Sequence, residues 1–152
     1  MIFTEPRRGL RRGLRALALA WLCALSAPLL ATEFYAEDIQ AATQAHIQAR
    51  ADAQGIFRIV DDKTGEELAL RFVKVHDPVR QIDGQTYFAC TDFHVVGAPK
   101  QLYDLDFWLR PEDGRLAVYE ERIHKEPRRS WIYGWYKQPR YTFVDDEVVP
   151  LY

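Results

Sequence analysis

The chain has 152 residues, with 20 Lys and Arg against 22 Asp and Glu, and 13% of its residues are aromatic. That length fits one domain, and that aromatic content excludes a disordered chain. The charge is uneven: the first 31 residues hold five Arg and one Glu, which leaves 15 basic and 21 acidic residues beyond them, a balance of −6. This balance lacks the basic footprint of a nucleic-acid partner. Two cysteines, Cys23 and Cys90, are too few for a disulfide-stapled mini-protein.

Residues 1–31 read as an export signal. Arg7, Arg8, Arg11, Arg12 and Arg15 form a basic start, Ala16 to Leu25 is an apolar run, and Pro28 and Ala31 lie near a cut expected after Ala31. Ala16 to Ala31 spans 16 residues and includes Pro28, whereas a spanning helix needs about 20 apolar residues. The expectation is a periplasmic or secreted protein starting at Thr32, with no stable membrane anchor after cleavage. The pairs Arg7-Arg8 and Arg11-Arg12 resemble a twin-arginine signal, but Pro6 and Leu10, not Ser or Thr, stand directly before them. Trp21-Leu22 before Cys23 argues against a lipoprotein. Once Cys23 leaves with the signal, Cys90 has no partner for an internal disulfide.

From Glu33 to Gln54 the chain contains no Gly or Pro. Phe34, Ile39, Ala42, His46, Ala49 and Ala53 recur at helical spacing, Glu33, Glu37 and Asp38 favour the positive end of a helix dipole, and Gly55 supplies a stop. One long helix is predicted. The period then changes to two. Strands are predicted over 56–60, 66–76, 85–96, 102–110 and 115–125, separated by turn signals such as Asp83-Gly84 and Pro111-Glu112-Asp113-Gly114. Short connections imply antiparallel neighbours and therefore a meander. In the second strand Leu68, Leu70 and Phe72 share one face, then Val73 and Val75 take over. One extra residue near Phe72-Val73, a bulge that bends the strand, explains the slip.

The expected class is α+β: one long N-terminal helix packed on a bent antiparallel meander of about five strands, with an aromatic C-terminal tail. This element order resembles the cystatin-like and nuclear-transport-factor-like superfamily over residues 33 to 125. The segments Tyr87 to Phe93, Tyr103 to Trp108 and Ile123 to Lys125 are similar to those of small exported bacterial proteins of an uncharacterised family, a likeness that implies no chemistry. The expected organisation is a signal peptide at 1–31, an α+β domain at 32–125, and an aromatic extension at 126–152 that packs on the domain.

Aligning the third and fourth strands by their apolar faces predicts Phe93 opposite Leu105 and Thr91 opposite Phe107. The other face then brings Asp92 opposite Asp106, His94 opposite Asp104, and Cys90 opposite Trp108. Glu120, Arg122 and His124, or Glu121, would lie nearby. Asp92, His94, Asp104 and Asp106 are thus candidate ligands for a divalent metal ion. Otherwise they form a solvated face whose Asp92–Asp106 repulsion is relieved by Arg122 or Lys125. No zinc-like His spacing, phosphate loop or nucleophile elbow occurs. His46 and His76 read as structural or exposed, and Cys90 as a buried thiol beneath the tail.

In the tail, Trp131, Tyr133, Trp135 and Tyr136 are candidate binding residues that could stack on a sugar ring or a partner's side chains, with Arg128, Arg129 and Lys137 adding charge. Alternatively they fold back to cover Cys90 and Trp108, the reading favoured because so much exposed aromatic area promotes aggregation. The expected function is a non-catalytic exported module that binds a protein or small ligand and needs no cofactor. The alternatives are a metal-binding accessory protein using the Asp/His patch, or a small enzyme with its site between helix and sheet. For the enzyme, Thr91 and Tyr103 are the only polar residues predicted to point inward.

Overall fold

The computed structural model describes residues 33–151. The predicted signal and its cut after Ala31 lie outside them. The fold is α+β: helix α1 (Ala36–Arg50) packs on a seven-stranded antiparallel sheet, and a small C-terminal hairpin follows. The strands are β1 (Phe57–Val60), β2 (Glu67–Val75), β3 (Arg80–Gln81), β4 (Tyr87–Val95), β5 (Ala98–Glu112), β6 (Arg115–Ser130) and β7 (Gly134–Pro139). The hairpin is β8 (Tyr141–Val144) with β9 (Glu147–Pro150). In the sheet the order is β1-β2-β4-β5-β6-β7, with the short β3 continuing beside β4.

Helix α1 is shorter than its sequence suggests. Asp38 Oδ2 accepts the Tyr35 N–H at 2.9 Å, which ties down a first-turn donor. At the other end Asp52 Oδ1 accepts the N–H groups of Gln54 and Ile56, both at 2.9 Å. An Asp that bonds its own downstream backbone competes with helix, so α1 stops at Arg50 rather than Gln54. Gly55, at φ +73, turns the chain into β1. Ile39, Thr43 and Ile47, each four residues apart, are the buried stripe.

The extra residue expected near Phe72-Val73 is present: Phe72 pairs with Phe93 and Lys74 with Asp92, so Val73 has no partner across the ladder. Two more bulges lie in β6. Leu105 pairs with Ile123 but Asp104 with Lys125, which leaves His124 as an added residue. Tyr119 is added in the same way between the partners of Trp108 and Leu109. The sheet has two strands beyond the five of the expected meander. The sequence did not mark β3, whereas β7 overlaps the stretch Ser130 to Lys137 that the alternation of Trp131, Tyr133 and Trp135 marks as a candidate further strand. Ala98 to Lys100, expected in a loop, open β5. Strand β6 runs through Pro127 to Ser130; its ladder with β5 ends at Lys125, so Pro127 interrupts no bond of that ladder.

The main core lies between α1 and one face of the sheet. Ile39, Ile47, Phe57, Leu70, Phe93, Leu105, Phe107 and Leu109 are buried there. Phe57, Phe93 and Phe107 form a ring cluster with centroids 5.3 to 6.4 Å apart. A second cluster on the opposite face joins Phe88 and Trp108 to Tyr141 of the hairpin, with Phe143 packed against it. The hairpin turn, Asp145 at φ +50 and Asp146 at φ +62, has the two left-handed residues of a type I′ turn.

Candidate functional site

Strands β4 and β5 carry their apolar residues toward α1, as the alternation predicts, but the register is two residues away from the expected one. Phe93 pairs with Tyr103 and Thr91 with Leu105. On the other face Asp92 lies opposite Asp104, not Asp106. Cys90 lies opposite Asp106, not Trp108, and His94 opposite Leu102, not Asp104. A two-residue slip leaves every side chain on its original face, so alternation alone could not choose between the registers.

The face is also not solvated. Asp104 and Asp106 are fully buried and Asp92 is 8% exposed. The cover comes from β7 and the β8–β9 hairpin. Lys137 of β7 reaches across to donate to Asp92 Oδ1 at 2.7 Å and to Asp104 Oδ1. Lys125 lies 2.8 Å from Asp104 Oδ2, and His76 Nε2 lies 3.0 Å from Asp92 Oδ1. Burial opposes ionisation of Asp92, but its contacts with Asp104, Lys137 and His76 outweigh that and hold it far below the usual carboxylate range. Lys125 thus pairs with Asp104 rather than relieving an Asp92–Asp106 contact, and Arg122 pairs with Glu120. His94 stays outside the cluster, its Nδ1 3.1 Å from the Val95 carbonyl oxygen.

Asp106 has a different neighbourhood. Tyr141 donates its hydroxyl to Asp106 Oδ2 at 2.7 Å, and the Tyr141 ring stacks on His124 with centroids 4.6 Å apart. His124 Nδ1 lies 3.2 Å from the same oxygen, without the alignment of a hydrogen bond. Burial, then the Asp106 charge, push both the Tyr141 hydroxyl and the Cys90 thiol well above their ordinary ranges. Cys90 is therefore a protonated thiol at neutral pH and a poor nucleophile.

A second polar network, not foreseen from the sequence, surrounds Arg140 at the β7–β8 junction. Its guanidinium donates to Asp61 at 2.7 and 2.8 Å, to Asp62 at 2.9 Å and to Glu126 at 2.7 Å. The Arg140 hydrogen bond, working against burial, lowers the Asp61 pKa. Burial opposes ionisation of Glu126 too, but Arg140 and Arg128 outweigh it. The network ties the β1–β2 turn to β6. Residues 79 positions apart meet in it, a separation that no local pattern signals.

The aromatic tail divides into two parts with opposite fates. Trp131 is 94% exposed and Tyr133 81%, with Ile132, Trp135 and Tyr136 also exposed. They do not cover Cys90 and Trp108; Tyr141, Phe143 and Val148 of the hairpin do. The Ser130 hydroxyl accepts the N–H groups of Ile132 and Tyr133 at 3.1 and 3.4 Å, and Gly134 takes φ +73. The turn is thus pinned while its large side chains point outward. The missed signal for the hairpin was a second alternation, Tyr141-Thr142-Phe143-Val144 and Glu147-Val148-Val149, around the turn residues Asp145-Asp146.

Between helix and sheet the buried lining is apolar apart from Thr43 and Thr91. Thr91 is fully buried with no hydrogen-bond partner for its hydroxyl. His46 at the helix edge pairs with Glu121 at 3.1 Å, beside Arg50, which binds the same carboxylate. No protein-family model, no curated protein and no solved structure matches the chain.

Proposed function

We propose that the chain is an exported, non-catalytic binding module that grips a partner protein with the aromatic tip between β6 and β7. The carrying observation is the exposure of Trp131 and Tyr133 on a turn held in one shape by Ser130 and Gly134. Trp, Tyr and Arg are the residue types that dominate binding energy at protein interfaces, and Arg128 and Arg129 flank this tip. A turn already held in shape loses little further entropy on docking. The fitting surface is an apolar pocket with an acidic rim. Export is supported by the basic-then-apolar order of residues 1–31. The helix-on-sheet order supports the resemblance to cystatin-like and nuclear-transport-factor-like proteins at the level of architecture.

The test is site-specific photo-crosslinking in the producing cell. A benzophenone side chain placed at Trp131 or Tyr133 should give one adduct of defined mass. The same probe at Thr64, on the β1–β2 turn, should not. Adducts that are absent at the tip, or identical from Thr64, overturn the reading.

A further inference from the structure

We infer that Cys90, Asp106 and His124 form a binding site for a zinc-type divalent cation, closed by the β8–β9 hairpin. One ligand atom from each of the three lies within 4.8 Å of the others. Tetrahedral coordination at about 2.0–2.3 Å per bond sets ligand atoms about 3.3–3.8 Å apart, so binding draws the three together by at most about 1–1.5 Å. Three independent features of the fold point to a ligand at this place.

The first is an unmet charge. Asp106 is fully buried and its Oδ1 has no hydrogen-bond partner. The other buried carboxylates each have a fixed cation: Asp104 has Lys125 and Lys137, and Asp61 and Glu126 share Arg140. Among the described residues no Lys or Arg pairs with Asp106. A carboxylate removed from water without a counter-charge costs several kcal/mol, and a divalent ion at this place supplies that charge. The second is His124. Alternation after Ile123 puts its imidazole on the buried face beside Asp106, and its Nδ1 is buried there with no hydrogen-bond partner. The third is the supporting contact. Tyr141 holds Asp106 Oδ2 at 2.7 Å and stacks on His124, the orienting role that outer groups play around metal ligands.

The donor set selects the ion class. A thiolate and an imidazole suit Zn²⁺, Co²⁺ or Ni²⁺, whereas Ca²⁺ and Mg²⁺ take oxygen ligands. Binding forms a sulfur–metal bond and breaks the Cys90 S–H bond, and the proton passes to bulk water. A divalent ion with one thiolate, one carboxylate and a neutral imidazole leaves the buried site without net charge. A competing trio, His76, Cys90 and Asp104, shares the cysteine. Its other members are already engaged, His76 with Asp92 and Asp104 with two lysines. Of the four ligands expected from sequence, only Asp106 belongs to the site.

The test uses the exported protein as purified, chelated and then titrated with Co²⁺ and Zn²⁺. The expected results are one ion per chain by elemental analysis, a thiolate-to-cobalt charge-transfer band in the near ultraviolet, and a rise in melting temperature. Cys90→Ser should abolish the band, and Cys90→Ser and His124→Gln should each lose the zinc-dependent rise. His76→Gln should keep both. Tyr141→Phe should keep the band with about tenfold weaker affinity. Absence of the band and of stoichiometric metal in the native protein overturns the inference without reference to any variant's folding. Loss of the band in His76→Gln with retention in His124→Gln overturns it in favour of the other trio.

Discussion

Lys137→Met tests whether the buried acidic face is held by β7, a strand of the C-terminal extension that the sequence expected to pack on the domain. The ammonium of Lys137 lies 2.7 Å from Asp92 and also contacts Asp104, and these two carboxylates face each other across β4 and β5. At 2.7 Å and an effective dielectric near 20, one such contact is worth about 6 kcal/mol before desolvation is subtracted. Removing one partner of a buried pair costs about 3–5 kcal/mol. Lys137 keeps 27% of its side chain in water and Lys125 still holds Asp104, which reduces the expected loss to about 2–3 kcal/mol. The loss should depend on pH. In the native chain the Asp92 pKa is depressed, so its contribution is present above the unfolded value of about 3.9 and fades as pH falls. Without Lys137, Asp92 faces Asp104 and its pKa rises, so the penalty should be full by about pH 7, still large at about pH 4, and fade only as pH falls toward about 2. Urea unfolding of both proteins across that range measures it. A loss under about 0.5 kcal/mol at pH 7, the size of an ordinary surface change, or one that shrinks as pH rises, would refute the assigned role.

Leu105→Ala and Phe107→Ala should each destabilise by about 2–5 kcal/mol, since both side chains are fully buried against α1; denaturant midpoints close to the native value would invert the assignment of sheet faces. Arg140→Met should cost about 3–5 kcal/mol by stranding Asp61, whose side chain is 4% exposed, while Glu126 keeps Arg128 and Lys63, and Arg140→Met/Asp61→Asn should recover part of that loss in a double-mutant cycle. Native stability should fall as pH drops below about 4, because Asp61, Asp92 and Glu126 have depressed pKa values and must be protonated there; stability unchanged from pH 5 to pH 2 by circular dichroism would contradict those three environments.

Local chemistry determined much of this protein. The helix, the alternating strands and the bulge at Val73 all follow from residues within a few positions of one another. So does the separation of β4 and β5 into an apolar and an acidic face, because the side-chain period of two is a property of the strand itself. Register was beyond that reach, since a slip of two residues preserves every face; the tertiary fold set Asp92 against Asp104 and Cys90 against Asp106. Burial of the acidic face was decided the same way. An Asp on a strand reads as solvated until a distant element covers it, and here β7 and the β8–β9 hairpin cover it with Lys137 and Tyr141, 33 and 35 residues from their carboxylate partners. The exposure of Trp131 and Tyr133 was decided by the turn that Ser130 and Gly134 build. Composition marks such side chains as hydrophobic, and only a neighbour in space can bury them.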